Sequence, residues 1–296
     1  VTSEADVRGR RALVTKMTRE ELLHTFQRAV WVAVIPGSLL FATMQVVVHF
    51  RGGMVGADSH AYWLAARMPE TWYTSPPGYR DAYLYSPVFA QVLAPLATLP
   101  WRAFQLLWLV AQVGVLAWLL APLGWRHALS IAPLFVTELL LGNLYFFFAA
   151  ALVLAVRGSS GALALPLLTK IAPGVVGLWF IARREWRKAA QAVLMTLAVV
   201  AVSAAFDPDA WVRWISFVHS SSGSGGVVLY GRLALAVAMV VLAAKTDRAW
   251  LLAPAMLLAC PVLGGYGPLA ILAAIPGLRS ADRLVRAPLQ ERVLVS

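Results

Sequence analysis

The sequence predicts an all-α fold, a polytopic transmembrane helical bundle, and three observations carry that prediction. Hydrophobic residues make up 60% of the 296, only 13% are charged, and the mean hydropathy is +0.72. A soluble domain of this size needs more charge to cover its surface. Several apolar runs approach the ~20 residues that a helix needs to cross a bilayer. These runs are continuous, whereas a membrane β-barrel shows ~10-residue segments of alternating hydrophobicity.

Charge and cysteine usage narrow the class. The net charge of +11 collects at the chain ends and in short loops. That is the positive-inside pattern of cytoplasmic segments rather than a nucleic-acid-binding face. A single cysteine, Cys260, excludes an intrachain disulfide and a cysteine metal cluster. Inside an apolar run it reads as a small packed hydrophobe.

In chain order, residues 1–26 form a cytoplasmic basic tail, with a short amphipathic helix around Glu20–Phe26. The first span runs from Gln27 to Phe50, with a kink available at Pro36–Gly37. It is too long for the apolar core of a signal peptide and reads as a retained span. The loop 51–82 is then extracytoplasmic, and its segment Ser59–Met68 has the pattern of an interfacial helix. Residues 83–99 form a second span, Pro100–Arg102 an inner turn, residues 103–121 a third span, and Gly124–His127 an outer turn.

Residues 128–156 make two short apolar arms around Glu138, Gly142 and Asn143, either two short spans or a re-entrant hairpin. Residues 162–182 run inward to Arg183, Arg184, Arg187 and Lys188, and 189–206 run outward. An outer loop, 207–226, holds Asp207, Asp209, Trp211, Trp214, His219 and a Gly/Ser-rich run. Residues 227–244, 249–263 and 268–278 complete the bundle, and 279–296 form a second cytoplasmic basic tail. The expectation is about ten spans, or eight plus a re-entrant hairpin, in one membrane domain, 27–278.

The candidate chemistry sits in polar residues that an apolar chain has reason to avoid. Five carboxylates, Asp58, Glu70, Asp81, Asp207 and Asp209, fall in the two large outer loops. Asp58 follows the first span after a glycine-rich link. An acid there can act as a general base or orient a hydroxyl, or it can serve as a helix N-cap. Lys170 lies in an apolar segment, where a lysine is expensive and marks function by default. A phosphate is its natural partner; snorkelling or an ion pair with Glu138 are the alternatives. Glu138 and Asn143 can line a cavity or tie helices together. His60 and His219 can assist proton transfer. Most loop aromatics are interfacial anchors, and a few, with Tyr62, Tyr83 and Tyr85 as candidates, can stack on a sugar. No His/Asp/Glu spacing matches a metal-ligand pattern.

Several of these residues form an ordered series. It runs G-A-D-x-x-x-Y (Gly56, Ala57, Asp58, Tyr62), Y-L-Y-S-P (Tyr83–Pro87), LAPLATLP (Leu93–Pro100), L-G-N (Leu141–Asn143) and T-K-I-A-P (Thr169–Pro173). In order and spacing the series resembles glycosyltransferase family 87. The resemblance implies a GT-C-like membrane enzyme with a polyprenyl-phosphate sugar donor, a glycolipid or glycan acceptor of the cell envelope, and no cofactor. It implies chemistry on the outer face of the plasma membrane, with both termini cytoplasmic. Asp58 matches the family's essential acid and Lys170 its lysine, at the donor phosphate. The reaction would be an inverting transfer, of mannose or alternatively a pentose. A non-catalytic subunit of envelope assembly and a lipid-linked sugar transporter are the competing readings.

Overall fold

The computed structural model describes residues 19–221, 226–263 and 265–281. Residues 1–18 of the expected basic head, the middle of the Gly/Ser-rich run and most of the expected basic tail lie outside the described residues, while 19–26 begin the first helix rather than a separate one. Among those described, every regular element is helical.

Four helices are long and apolar enough to cross a membrane: Val30–Arg51, Trp101–Leu123, Trp186–Phe206 and Gly226–Thr246. A fifth is reached only if Trp125–Leu141 and Tyr145–Val156, bent by 118° at their junction, count as one span. The ten spans expected from the sequence are therefore not found. Length and hydropathy count apolar residues but do not see where the chain reverses.

We label the continuous helices α1 (Arg19–Arg51), α2 (Ala57–Arg67), α3 (Pro87–Ala97), α4 (Trp101–Leu120), α5 (Trp186–Phe206), α6 (Pro208–Ser221) and α7 (Gly226–Thr246). Between them stand three hairpins of short apolar arms. Hairpin A pairs Trp125–Leu141 with Tyr145–Val156, hairpin B pairs Ser160–Thr169 with Ala172–Ala182, and hairpin C pairs Ala249–Ala259 with Gly267–Ala281. Each reversal has a local cause. Gly142, at φ 74, ends the first arm of A. In B the helix stops at Thr169, and Ile171 takes φ 52 and ψ −66. In C, Pro261 and Gly265 (φ 74) lie in the turn.

The feet of the hairpins share one end of the molecule. Trp31 of α1 packs on His127 (ring centroids 4.4 Å apart), and Arg157 lies 5.7 Å from the Trp118 ring. Ser160 Oγ donates to the Lys188 carbonyl, Arg183 pairs with Asp247, and Arg279 covers the Trp250 ring. Arg126, Arg157, Arg183, Arg184, Arg187, Lys188, Lys245, Arg248 and Arg279 thus gather at this basic end, with Glu185 and Asp247 as the acids among them. The arms pack on one another through fully buried side chains such as Phe146, Phe148, Leu163, Phe180, Leu252 and Met256.

α2 and α3 stay at the opposite end. His60 meets Trp101 edge to face at 4.7 Å, so the turn at 100–102 lies beside α2 and not at the inner end expected from the sequence. The 124–127 turn lies at the basic end, against its expected outer position. Both corrections have one source. α3 has 11 residues, about 16 Å of helix against a hydrocarbon core of ~30 Å, so 83–99 does not cross. Hairpin B returns to the end it started from, so 162–182 does not cross either. The two differences cancel, and from Arg183 onward the order of ends agrees with the sequence reading.

Candidate active site

The hairpin tips converge beneath α2, and their polar residues form one network. Asn143, at the tip of A, is its centre. Its Nδ2 donates to Asp58 Oδ2 at 2.6 Å. Its Oδ1 accepts from Lys170 Nζ (3.2 Å), the Leu144 backbone N–H (2.7 Å) and the Tyr62 hydroxyl (3.3 Å). Lys170, at the tip of B, also donates to the Tyr145 hydroxyl at 2.8 Å and lies 4.0 Å from that ring's centroid. The Tyr62 and Tyr85 hydroxyls are 3.1 Å apart, and the Tyr85 ring is 5.7 Å from Lys170 Nζ. An acid, an amide and an ammonium from three separate stretches of chain are thus held in line.

Local structure fixes each member. Gly56, in the left-handed region (φ 74), is the N-cap of α2 and places Asp58 in the first helical turn. Asp58 is therefore not the N-cap, the bland role its sequence position allowed. The helix dipole there still favours a carboxylate. The Gly56 N–H donates to the Leu140 carbonyl at 2.6 Å and ties α2 to hairpin A. Lys170 precedes a γ-turn: the Ala172 N–H bonds the Lys170 carbonyl at 2.6 Å across Ile171. A β-branched residue at positive φ is strained, and that strain fixes where the lysine leaves the helix.

Burial pushes the Asp58 carboxyl above its ordinary value of 3.8, against the opposing pull of the Lys170 ammonium and the Asn143 hydrogen bond. Its second oxygen, Oδ1, accepts no hydrogen bond among the described residues. A partly buried carboxylate with one free oxygen and a raised pKa is suited to receive a proton.

The structure separates the remaining candidates. Glu138 is buried; its Oε1 accepts the Tyr145 N–H at 2.6 Å, and its carbonyl accepts the Gly142 N–H. It forms no ion pair with Lys170, so its visible work is to shape the turn that carries Asn143. Tyr83 is consumed structurally: its hydroxyl donates to the Ser86 carbonyl and accepts from the Ala90 N–H. His60 turns away from Asp58 and bonds Asp81 at 2.7 Å. His219 is exposed in the last turn of α6 and touches no member of the network.

Sequence reasoning missed three supports. Gln112 donates to the carbonyls of Asn143 (2.9 Å) and Glu138 (3.3 Å), and Trp108 donates to that of Gly142 (2.8 Å). Tyr145 is the third. A buried glutamine within a span was the available signal for Gln112. Gln112 lies about 16 Å along α4 from its first residue at 1.5 Å per residue, so the site sits well below the end of that helix. An apolar groove of about 360 Å³, lined by Val88, Val92, Val199 and Phe206 with Gln91 and Ser203, opens on the nearby flank. Among the described residues no group of three or more His, Cys, Asp or Glu is placed to hold a metal ion.

Fold and site define a helical membrane protein whose polar centre is assembled from hairpin tips. Glycosyltransferase family 87 is the family whose model matches residues 83–291, more than half of the chain. The chain belongs to that family and is a membrane glycosyltransferase. The match takes in Asn143 and Lys170 and begins downstream of Asp58. No curated protein and no solved structure matches the chain.

Proposed function

We propose that the protein transfers a sugar, with mannose the first candidate, from a polyprenyl-phosphate donor to an envelope glycolipid or glycan. One observation carries this reading: Asp58 and Lys170 bind opposite ends of the same Asn143 amide. A base and a cation held one side chain apart suit a displacement at the sugar's anomeric carbon. Asp58 takes the proton of the acceptor hydroxyl as its oxygen bonds C1. The C1–O bond to phosphate breaks on the opposite face, and its electron pair stays on the phosphate oxygen beside Lys170. The configuration at C1 inverts. Positive charge at the leaving oxygen lowers the barrier where charge develops.

Orientation follows from charge. The basic end collects half of the described arginines and lysines, and such ends face the cytoplasm. Asp58 and α2 then lie toward the outer face of the plasma membrane, and the flanking apolar groove offers a surface for a lipid tail.

The test uses the full chain in lipid, with polyprenyl-phosphate mannose, a pool of envelope glycolipids, and Asp58→Ala beside wild type. Transfer by wild type that disappears in the variant supports the reading. Equal transfer by both removes Asp58 from the mechanism. A wild type that neither transfers nor binds the donor points to a non-catalytic subunit.

A further inference from the structure

Among the described residues, Arg232 is a cation within a membrane-spanning helix that the reading above leaves unused. It lies within α7, about 9 Å along the axis from the helix's first residue. An arginine at such a place can snorkel to the interface. This one turns toward the protein. Its Nη2 donates to the Pro261 carbonyl at 3.0 Å, at the tip of hairpin C, and its Nε is enclosed without a hydrogen-bond partner. No carboxylate among the described residues forms an ion pair with Arg232 or with Lys170. Cys260, beside Pro261, lies within electrostatic reach of both cations. The tip of hairpin C therefore lies near two cations: Arg232 has an enclosed N–H without a partner, and Lys170, within reach of the Asp58 and Glu138 carboxyls, forms a direct ion pair with neither. An enclosed cationic N–H without a partner is costly unless an anion completes it.

We propose that Arg232 and Lys170 form a two-cation cradle for the phosphate of the lipid carrier, matched to the dianion left when the sugar departs. This rests on the lipid-phosphate donor proposed above. The donor is a phosphodiester with one negative charge. When C1–O cleavage leaves its electron pair on the phosphate, the product is a monoester with a second pKa of about 6 and close to two charges at neutral pH. Before transfer the two cations offset the ionised Asp58 and the singly charged donor; once Asp58 has taken the proton, the same two cations balance the product. Interactions that strengthen as the reaction proceeds raise turnover more than they raise substrate binding.

The experiment measures binding of polyprenyl phosphate, polyprenyl diphosphate and uncharged polyprenol to the full chain in nanodiscs. Wild type is compared with Arg232→Gln, Arg232→Lys and Lys170→Gln. Glutamine keeps a donor for the Pro261 carbonyl but removes the charge; lysine keeps the charge. Arg232→Gln is expected to weaken polyprenyl phosphate about tenfold or more, the scale of one charge-assisted hydrogen bond. Polyprenol binding stays unchanged and Arg232→Lys recovers most of the loss. In the transfer assay Arg232→Gln lowers kcat more than it raises KM.

Polyprenyl phosphate bound equally by wild type and Arg232→Gln, but lost in Lys170→Gln, overturns the cradle and leaves the donor reading standing. Equal loss in Arg232→Gln and Arg232→Lys, with a lowered melting temperature, makes Arg232 a tie to hairpin C and also overturns it. Tighter binding of the diphosphate overturns the match to a monoester. A wild type that binds polyprenol as tightly as polyprenyl phosphate removes the donor reading, and the cradle falls with it.

Discussion

Asp58 and Glu185 stand at opposite ends of the molecule in similar local settings. Each is partly buried at the start of a helix, Asp58 in the first turn of α2 and Glu185 at the N-cap of α5. A helix N-terminus favours a carboxylate in both places, yet the two are handled in opposite ways. Partial burial opposes the ionisation of Glu185, but the hydrogen bond from Arg183 and the ion pair with Lys188, each at 2.7 Å, outweigh it and hold the carboxyl below 4.5. Asp58 receives one neutral amide and meets Lys170 only through it, and burial wins. The helix start does not decide the outcome; direct pairing does. The acid at the basic end is paired directly with cations, and the acid at the hairpin tips is not.

The largest test of this contrast is Asp58→Asn. Loss of a general base costs about 10²–10⁴-fold in rate, so transfer should fall by that scale. Stability should behave differently. A carboxyl whose folded pKa is raised contributes stability that is fully present below its unfolded value and lost as pH rises through the folded value. At neutral pH asparagine removes that cost and can still accept from Asn143. The melting temperature should hold or rise. Retained transfer, or a large drop in melting temperature, would break the contrast. In wild type the acid limb of kcat/KM should lie above 3.8; a limb at or below that value would mean that burial does not tune Asp58.

Lys170→Gln comes next. Glutamine can still donate to Asn143 and Tyr145 but carries no charge. Donor KM should rise about tenfold to a hundredfold, the range of a hydrogen bond to a charged group, with little change in fold. An unchanged KM would make Lys170 a structural donor only.

A pair of glycines sharpens the comparison between ends. Gly142 and Gly124 both have positive φ, 74 and 76. A Cβ on Gly142 would lie 2.7 Å from the Ser59 Cβ, while one on Gly124 would meet nothing within 4 Å. Gly142→Ala should cost about 1–3 kcal/mol of stability through strain and overlap, and should lower activity by moving Asn143. Gly124→Ala should show strain alone and leave transfer intact. Equal activity in both, read beside their melting temperatures, would detach the tip of hairpin A from catalysis.

Asp58, Asn143 and Lys170 were legible because each is polar in an apolar context, and such residues carry a cost that needs a reason. Helical period also had more to give. Tyr62 is four residues from Asp58 and shares its face, while His60, two residues on, points away. That periodicity separates the network from the His60–Asp81 pair without coordinates. The hairpins were less legible. Pro173 and Gly142 hint at breaks, but nothing in Lys170–Ile171 announces a β-branched residue at φ 52. The span count was not met because short arms of 10–17 residues joined by a turn hold as many apolar residues as one crossing. Arg232 was hidden by its place in an ordinary span and became visible only through the carbonyl it reaches.

The smallest expected effect tests the other side of the contrast. Glu185→Gln breaks pairs with Arg183 and Lys188 whose side chains remain a quarter to more than a third exposed. Exposed pairs contribute only about 0.2–1 kcal/mol, so the melting temperature should fall slightly at neutral pH and transfer should not change. The folded pKa of Glu185 is depressed, so its contribution is present above 4.5 and lost as pH falls through the folded value. The gap between wild type and variant should therefore close in acid, and it should shrink in high salt. A gap that persisted at low pH would mean that Glu185 acts through packing. A change in transfer would mean that the two ends are coupled, and that charge pairing at the basic end is not merely structural.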